Sequence, residues 1–357
     1  MNQFLKEVRL KKAAHSQSRA AQQTLRREQI AWLAPPPDQR SARPLLMVRQ
    51  KSFLTIFCFR VLFVHALRAA TITLMPSADT SLMESFTNNN LGGAPYLLAG
   101  SGENLLRHRA LLQFDLLSQI PAQSKIKTVT LILEVTHQPA NGFTAADFSL
   151  HRVLRPWGEG NKLSPTNCNS CVGQGMPATT NEATWNDRFA LTTNAWDVPG
   201  AATNIDYATA VSASQAIYDI GNSPYSFNST AQLVADVQTW LDIPQNNFGW
   251  ILMADAESIA FTARRFGSRE DANFPPRLEI EYVMPPMIYG VKLFTNQFQF
   301  SFGAEAGQSY SVEFRNSFSP TNFWMTLTNI SAPLQNTNVT IFDSRSATQR
   351  FYRVVAP

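Results

Sequence analysis

Val129-Thr-Leu-Ile-Leu-Glu-Val135 and Arg277-Leu-Glu-Ile-Glu-Tyr282 decide the fold. In the second stretch Leu278, Ile280 and Tyr282 alternate with Glu279 and Glu281, a period of two that gives one buried and one wet face. In the first, Val129, Leu131, Leu133 and Val135 share one face of an extended chain. Working outward, Arg109–Asp115, Phe148–Val153, Gly249–Ala254 and Ile259–Phe266 have similar length and are separated by Gly, Pro, Asn and Ser. Regular short strands with such turns predict an all-β, jelly-roll-like sandwich over residues 71–284.

One helix interrupts the strands. Ser229-Thr-Ala-Gln232 has the spacing of a capping box, with Ser229 accepting from the Gln232 amide. Leu233, Val237, Trp240 and Leu241 then fall on one face, and Pro244 stops the helix. Met284-Pro-Pro-Met287 reads as a short stiff linker. Beyond it, Phe298–Phe302, Tyr310–Phe314, Val339–Phe342 and Phe351–Val354 predict a small immunoglobulin- or fibronectin-like β-sandwich over 285–357.

The 357-residue chain has a net charge of +4, and that charge is unevenly placed. Residues 1–46 carry nine Lys/Arg against three Asp/Glu and read as a disordered basic tail. Residues 47–70 run from basic to apolar to small, the order of a secretory signal peptide with cleavage after Ala69 or Ala70. This places the start of translation at Met47 and the protein outside the cell or on its surface. The apolar part is shorter than the ~20 residues a bilayer span needs, so no stable membrane span is expected. The remaining body, 71–357, has 17 Lys/Arg against 23 Asp/Glu. A mildly acidic body has no long-range attraction for phosphate backbones, and nucleic acid is not an expected partner.

Several stretches resemble, in order and spacing, the DNRLRE domain of secreted bacterial proteins, also classed as carbohydrate-binding module family 96. They are Ala78-Asp-Thr80, Asn90-Leu-Gly-Gly93, Arg109-Ala-Leu-Leu-Gln-Phe-Asp-Leu116, Ile120-Pro121, Val129–Leu133, Trp157-Gly-Glu-Gly160, Ala183-Thr-Trp-Asn186, Phe266-Gly-Ser-Arg-Glu270 and Pro275–Tyr282. The resemblance implies a β-sandwich and, for some members, binding of polysaccharide such as acidic algal glycans. The stretches 161–178 and 187–227 are longer than in compact members.

Trp157, Trp185 and Trp196 lie in the polar, loop-rich middle, either as a platform for sugar C–H faces or as caps on the sandwich core. Trp240 and Trp250 belong to the core. Arg109, Arg265 and Arg269 are candidates to grip an acidic polymer, or else pair internally with Asp115, Glu159 or Glu270. Arg264 and Arg265 are strand neighbours and must face opposite ways. Asp79, Asn88, Asn89 and Asn90 could donate oxygens to a structural calcium, but no EF-hand-like loop exists and no cofactor or metal is expected.

Catalysis finds little support. His108, His137 and His151 are scattered, no GxSxG or HExxH stands in the chain, and Glu159 with Asp187 would need a set separation to act as a glycosidase pair. The expectation is therefore a non-catalytic, polysaccharide-binding protein; a structural or adhesive surface protein without a small ligand is the alternative.

Cys168 and Cys171 form a lone CxxC in a polar segment, which in an exported chain predicts a local disulfide rather than a redox or zinc site. So small a loop stabilises little in the chain-entropy model. Replacing both cysteines by Ser is expected to lower Tm by only a few degrees in a thermal melt. A collapse of folding, or zinc in elemental analysis, would contradict this.

Overall fold

The computed structural model describes residues 69–166, 171–319, 321, 323–344 and 349–356. The tail and all of the signal segment except Ala69 and Ala70 lie outside these residues. Ala69 and Ala70 open the strand Ala69–Leu74 and pair with Val283 and Tyr282.

The chain is an all-β sandwich protein with one α-helix among the described residues. One sheet has four antiparallel strands in the order Ala69–Leu74, Arg277–Val283, Lys125–Leu133, Tyr225–Phe227. Its register sets Ile72 beside Ile280 and Ile280 beside Val129, so the apolar positions of three strands line up on one face. Glu279 and Glu281 oppose Thr130 and Thr128 on the other face. A one-residue slip would exchange these faces, which is what pins the register.

The facing sheet runs Tyr207–Ile217, Ala146–Val153, Trp250–Ala254, Arg107–Phe114, Tyr96–Ser101, Arg264–Gly267, Val135–His137, with Pro76–Met83 also paired along Arg107–Phe114. The Val129–Val135 stretch is divided between the two sheets: Lys125–Leu133 ends in the first and Val135–His137 begins in the second. Val129, Leu131, Leu133 and Val135 still reach the same core, where Leu131, Leu133, Phe148, Trp250, Phe266 and Ile280 are fully buried. The expected strand Ile259–Phe266 is cut short to Arg264–Gly267. Phe261 has φ +63, and the Ile259 N–H donates to the Ala256 carbonyl, so this stretch closes a turn first.

The helix spans Ala231–Asp242 and buries Leu233, Val237, Trp240 and Leu241 as its periodicity predicts. Its cap is one residue later than expected. Thr230, not Ser229, accepts from the Leu233 amide at 2.9 Å. Ser229 Oγ instead accepts from the Val129 amide, tying the helix entry to the four-stranded sheet. Asp236, buried on the same helix, accepts from Trp250 Nε1 at 3.1 Å and from Ser212 Oγ.

Residues 289–355 build the smaller sandwich. Tyr289–Leu293, Gln297–Ala304 and Thr337–Ser344 form one sheet; Met325–Ile330, Tyr310–Arg315 and Phe351–Val355 form the other. Phe300, Phe302, Tyr310, Val312, Ile341 and Val354 fill the space between them. Six strands are present among the described residues, where immunoglobulin constant-type sandwiches have seven. The strands at 289–293 and 325–330 escape the sequence pattern because none of their residues is buried.

Thr230→Ala is expected to cost about 0.5–2 kcal/mol through the lost cap. Ser229→Ala leaves the cap intact and removes only the Val129 tie. Leu233→Ala should cost about 2–5 kcal/mol, and Val237→Asp more, by burying an unpaired charge. Urea denaturation of the four variants checks the ranking; a neutral Val237→Asp would contradict the packing of this helix.

Candidate functional site

The central strands of the larger sheet, Pro76–Met83, Tyr96–Ser101, Arg107–Phe114 and Trp250–Ala254, are largely buried on both faces. Leu82, Leu111, Val153, Ile251 and Met253 point away from the main core into a second apolar cluster. Its other wall is irregular chain from the 154–206 stretch, which contributes Trp157, Trp185 and Trp196. These rings are 8%, 2% and 4% exposed. Trp157 Nε1 donates to the Phe248 carbonyl and Trp196 Nε1 to the Thr184 carbonyl, each at 2.9 Å. Trp185 lies under the guanidinium groups of Arg107 and Arg109, at 5.1 and 5.6 Å from the ring centroid. Gly200, with φ +89, closes on the same ring: a Cβ there would sit 2.5 Å from it. Of the two readings open for the three tryptophans, burial favours the caps on the core over the sugar platform. Each ring covers more apolar surface by lying on the sheet than it could by standing in solvent.

Two of the three candidate arginines are also consumed internally. Arg109 forms a two-point pair with Glu257, both contacts at 2.7 Å, and donates to the Gly200 carbonyl. Its partner is not Asp115, which instead accepts from the Leu117 amide and Ser118 Oγ. Arg269 holds Glu159 through Nε at 2.5 Å and Nη2 at 3.0 Å, and Glu270 at 3.0 Å. Glu159 also accepts from the Asp79 amide, and Asp79 accepts from the Arg269 amide. The short motifs thus lock one another. Asn90 donates to the Glu159 and Ala183 carbonyls and accepts from the Gly92 and Lys162 amides. A Cβ on Gly92 would meet the Glu159 carbonyl oxygen at 2.2 Å, so only glycine permits that approach.

These contacts leave little for other roles. Asp79 and Asn90, two of the four candidate calcium donors, are committed to protein partners. Among the described residues no group of three His, Cys, Asp or Glu side chains is placed to hold a metal ion. Both oxygens of Glu159 face Arg269, so no catalytic pair with Asp187 is formed there. Cys171 is disulfide-bonded, and Cys168 lies outside the described residues. No helix among the described residues is long and apolar enough to cross a membrane.

Arg265 behaves differently. Its strand lies between Tyr96–Ser101 and Val135–His137, so Arg265 has Leu98 on one side and His137 on the other. Arg264 faces the opposite way, as strand alternation requires, and spends its donors on carbonyls including those of Tyr218, Thr262 and Thr144. The Arg265 guanidinium stacks on Tyr96 at 4.9 Å. Tyr96 is held in turn: its hydroxyl lies 3.1 Å from Ser164 Oγ and accepts from the Gly173 amide. No carboxylate among the described residues pairs with Arg265. It lines an open cleft of about 310 Å³, together with His108, His137, Gln138, Phe86 and Val172.

His108 sits in the same cleft with its Nδ1 buried and without a hydrogen-bond partner. Burial pushes its pKa down to about 4, so the ring is neutral at physiological pH. Burial, and then the Arg265 charge, also lower His137. The cleft therefore offers one stacked cation, with the unpaired His108 nitrogen buried behind its wall. The sequence names Arg265 as a candidate; it does not reveal Tyr96 or His108, because nothing local marks residues that meet only through cross-strand register.

Two buried groups set the pH dependence of stability. Burial raises Asp79 from 3.8 to about 8, so its contribution is fully present below pH ~4 and is lost as pH rises through 8. His108 works in the other direction. Its depressed pKa means that stability declines as pH falls from about 6.5 to 4, where the unfolded chain takes up the proton first. Asp79→Asn should flatten the alkaline decline and His108→Gln the acid one, read from urea midpoints at pH 4.5, 6.5 and 8.5. Unchanged pH slopes in both variants would contradict these environments.

No family model matches the chain and no curated protein is similar to it, so the reading of the cleft rests on its geometry and chemistry.

Proposed function

We propose that the larger sandwich is a non-catalytic module of a secreted or cell-surface protein, and that it binds an acidic polysaccharide in the Arg265 cleft. The observation that carries this is a guanidinium clamped on Tyr96, facing an open cleft and without a carboxylate partner among the described residues. Arginine is weakly hydrated and presents a planar fork that matches a carboxylate. Stacking fixes that fork before a ligand arrives, which lowers the ordering cost of binding. A sugar acid brings the group that the cleft lacks, a carboxylate for Arg265. The resemblance to DNRLRE modules, some of which bind acidic glycans, agrees with this reading.

A structural or adhesive role without a small ligand is the second reading. It is favoured by the apolar side chains that the smaller sandwich exposes, among them Leu293, Phe318 and Phe323. In either case the basic signal segment belongs with export.

Native affinity gels containing a polyuronate, a neutral glucan or no polymer test the proposal at two salt concentrations. The parent protein should be retarded by the polyuronate, and less so at high salt, because exposed charge pairs are screened over ~10 Å in 0.1 M salt. Arg265→Ala should weaken retardation about tenfold or more, in line with ~1.5–3 kcal/mol for a hydrogen bond to a charged group. Trp185→Ala should lower Tm instead. Equal retardation of parent and Arg265→Ala, or equal retardation by the neutral glucan, would overturn the reading.

A further inference from the structure

The smaller sandwich carries a second arginine in the same condition. Arg315 and Phe351 are directly opposed across two strands, as are Glu313 and Arg353. These four therefore share one sheet face. The Arg315 guanidinium lies 3.8 Å from the Phe318 ring centroid and 4.6 Å from that of Trp324. Arg353 stacks on Trp324 at 4.4 Å, and Phe318 packs on Phe351 at 4.1 Å between centroids. The result is a ladder of alternating rings and guanidinium groups at the sheet surface. Phe318 is 61% exposed and the neighbouring Phe323 78%.

The charges on this ladder do not cancel. Residues 285–357 hold five Lys/Arg and three Asp/Glu, whereas 71–284 hold twelve against twenty. Of the three acids, Glu313 holds Arg353 at 2.6 Å and Asp343 holds Arg350 at 2.5 Å. The third, Glu305, does not reach Arg315. Residues 320, 322 and 345–348 include no acid. Arg315 Nε is also buried without an acceptor. A cation held between two rings, with no counter-charge in its module, is prepared for an oxyanion from outside.

We propose that Arg315 is a second anchor for an acidic polysaccharide, so that one chain grips the polymer through both sandwiches. This rests on the reading of the Arg265 cleft as the first anchor. The occupant is a polysaccharide rather than a nucleic acid because the face offers one unpaired guanidinium. A duplex is held by many phosphate contacts, which a single guanidinium does not supply. A polymer that repeats one oxyanion every few sugars suits two single anchors on a common chain. Linking them raises overall affinity by the local concentration of the second site.

The full chain is compared with Arg265→Ala, Arg315→Ala, Arg315→Lys and the Arg265→Ala/Arg315→Ala pair. Each is run in gels of a polyuronate, a dextran sulfate and a neutral glucan and against a DNA duplex in a mobility-shift gel, with tryptophan fluorescence as the check on folding. Arg315→Ala should weaken retardation about tenfold in one or both acidic gels, and the pair should abolish it. The carboxylated and sulfated gels tell which oxyanion is read. Arg315→Lys keeps the charge without the fork and should recover only part of the loss; it decides the matter should Arg315→Ala fail to fold. Retardation of both Arg315 variants at the parent level, a loss of equal size in the neutral gel, or a DNA duplex bound as well as the acidic glycans would overturn the second anchor. Loss in Arg265→Ala alone leaves the cleft standing without the ladder. Loss in the Arg315 variants alone removes the cleft and keeps the ladder.

Discussion

Burial of the larger sheet's central strands on both faces is the constraint on which the rest of this structure depends. Trp250–Ala254 is buried at every position, with Trp250, Leu252 and Ala254 in one cluster and Ile251 and Met253 in another. A strand wet on one face needs only one covering layer. This one needs two, and the second is made of irregular chain. Such a layer has only the short ladders of Asp187–Phe189 with Asn194–Ala195 and Met176–Pro177 with Asn89–Asn90 to satisfy its backbone groups, so it also needs polar side chains that can do so. Asn90, Thr184 and Glu182 serve that purpose: Asn90 bonds four backbone groups across three segments, and Glu182 accepts from the Thr179 amide.

The same constraint explains why the recognisable short motifs are structural. Trp157-Gly-Glu-Gly160 lies against Asn90-Leu-Gly-Gly93 at backbone contact distance. Glu159 reaches from that junction to Arg269 and Asp79. Recurrent tryptophan, glycine and paired charge in loops are what a non-repetitive layer needs to bind to a sheet. Their presence in sequence marks the layer, and not a surface for ligand.

Surface chemistry is left to the residues that this packing does not use. Arg109 and Arg269 neutralise buried or half-buried carboxylates, and removing either would strand a charge. Arg265 and Arg315 have ring neighbours in place of carboxylates. A ring stabilises a guanidinium modestly and leaves its fork free in the plane, whereas a carboxylate occupies the fork. This difference separates arginines that hold the fold from arginines available to a partner.

Alternation in Arg277–Tyr282 and Val129–Val135 made the sandwich legible, because a two-residue period has one physical meaning where one face is buried. The spacing of Leu233, Val237, Trp240 and Leu241 did the same for the helix. The cap moved from Ser229 to Thr230, since two adjacent hydroxyls can each accept a bond and only the strand at Val129 decides which one does so. The opposite orientations of Arg264 and Arg265 followed from alternation alone; which of them met solvent did not. Whether Trp157, Trp185 and Trp196 faced sugar or sheet was likewise open until Ile251 and Met253 proved to need a cover. Local periodicity is a property of the chain, so sequence carries it. Burial of a loop residue, and the choice between a ring and a carboxylate beside an arginine, are set by contacts outside the local period, as between Arg265 and Tyr96 or Arg109 and Glu257, and only the folded structure brings them together.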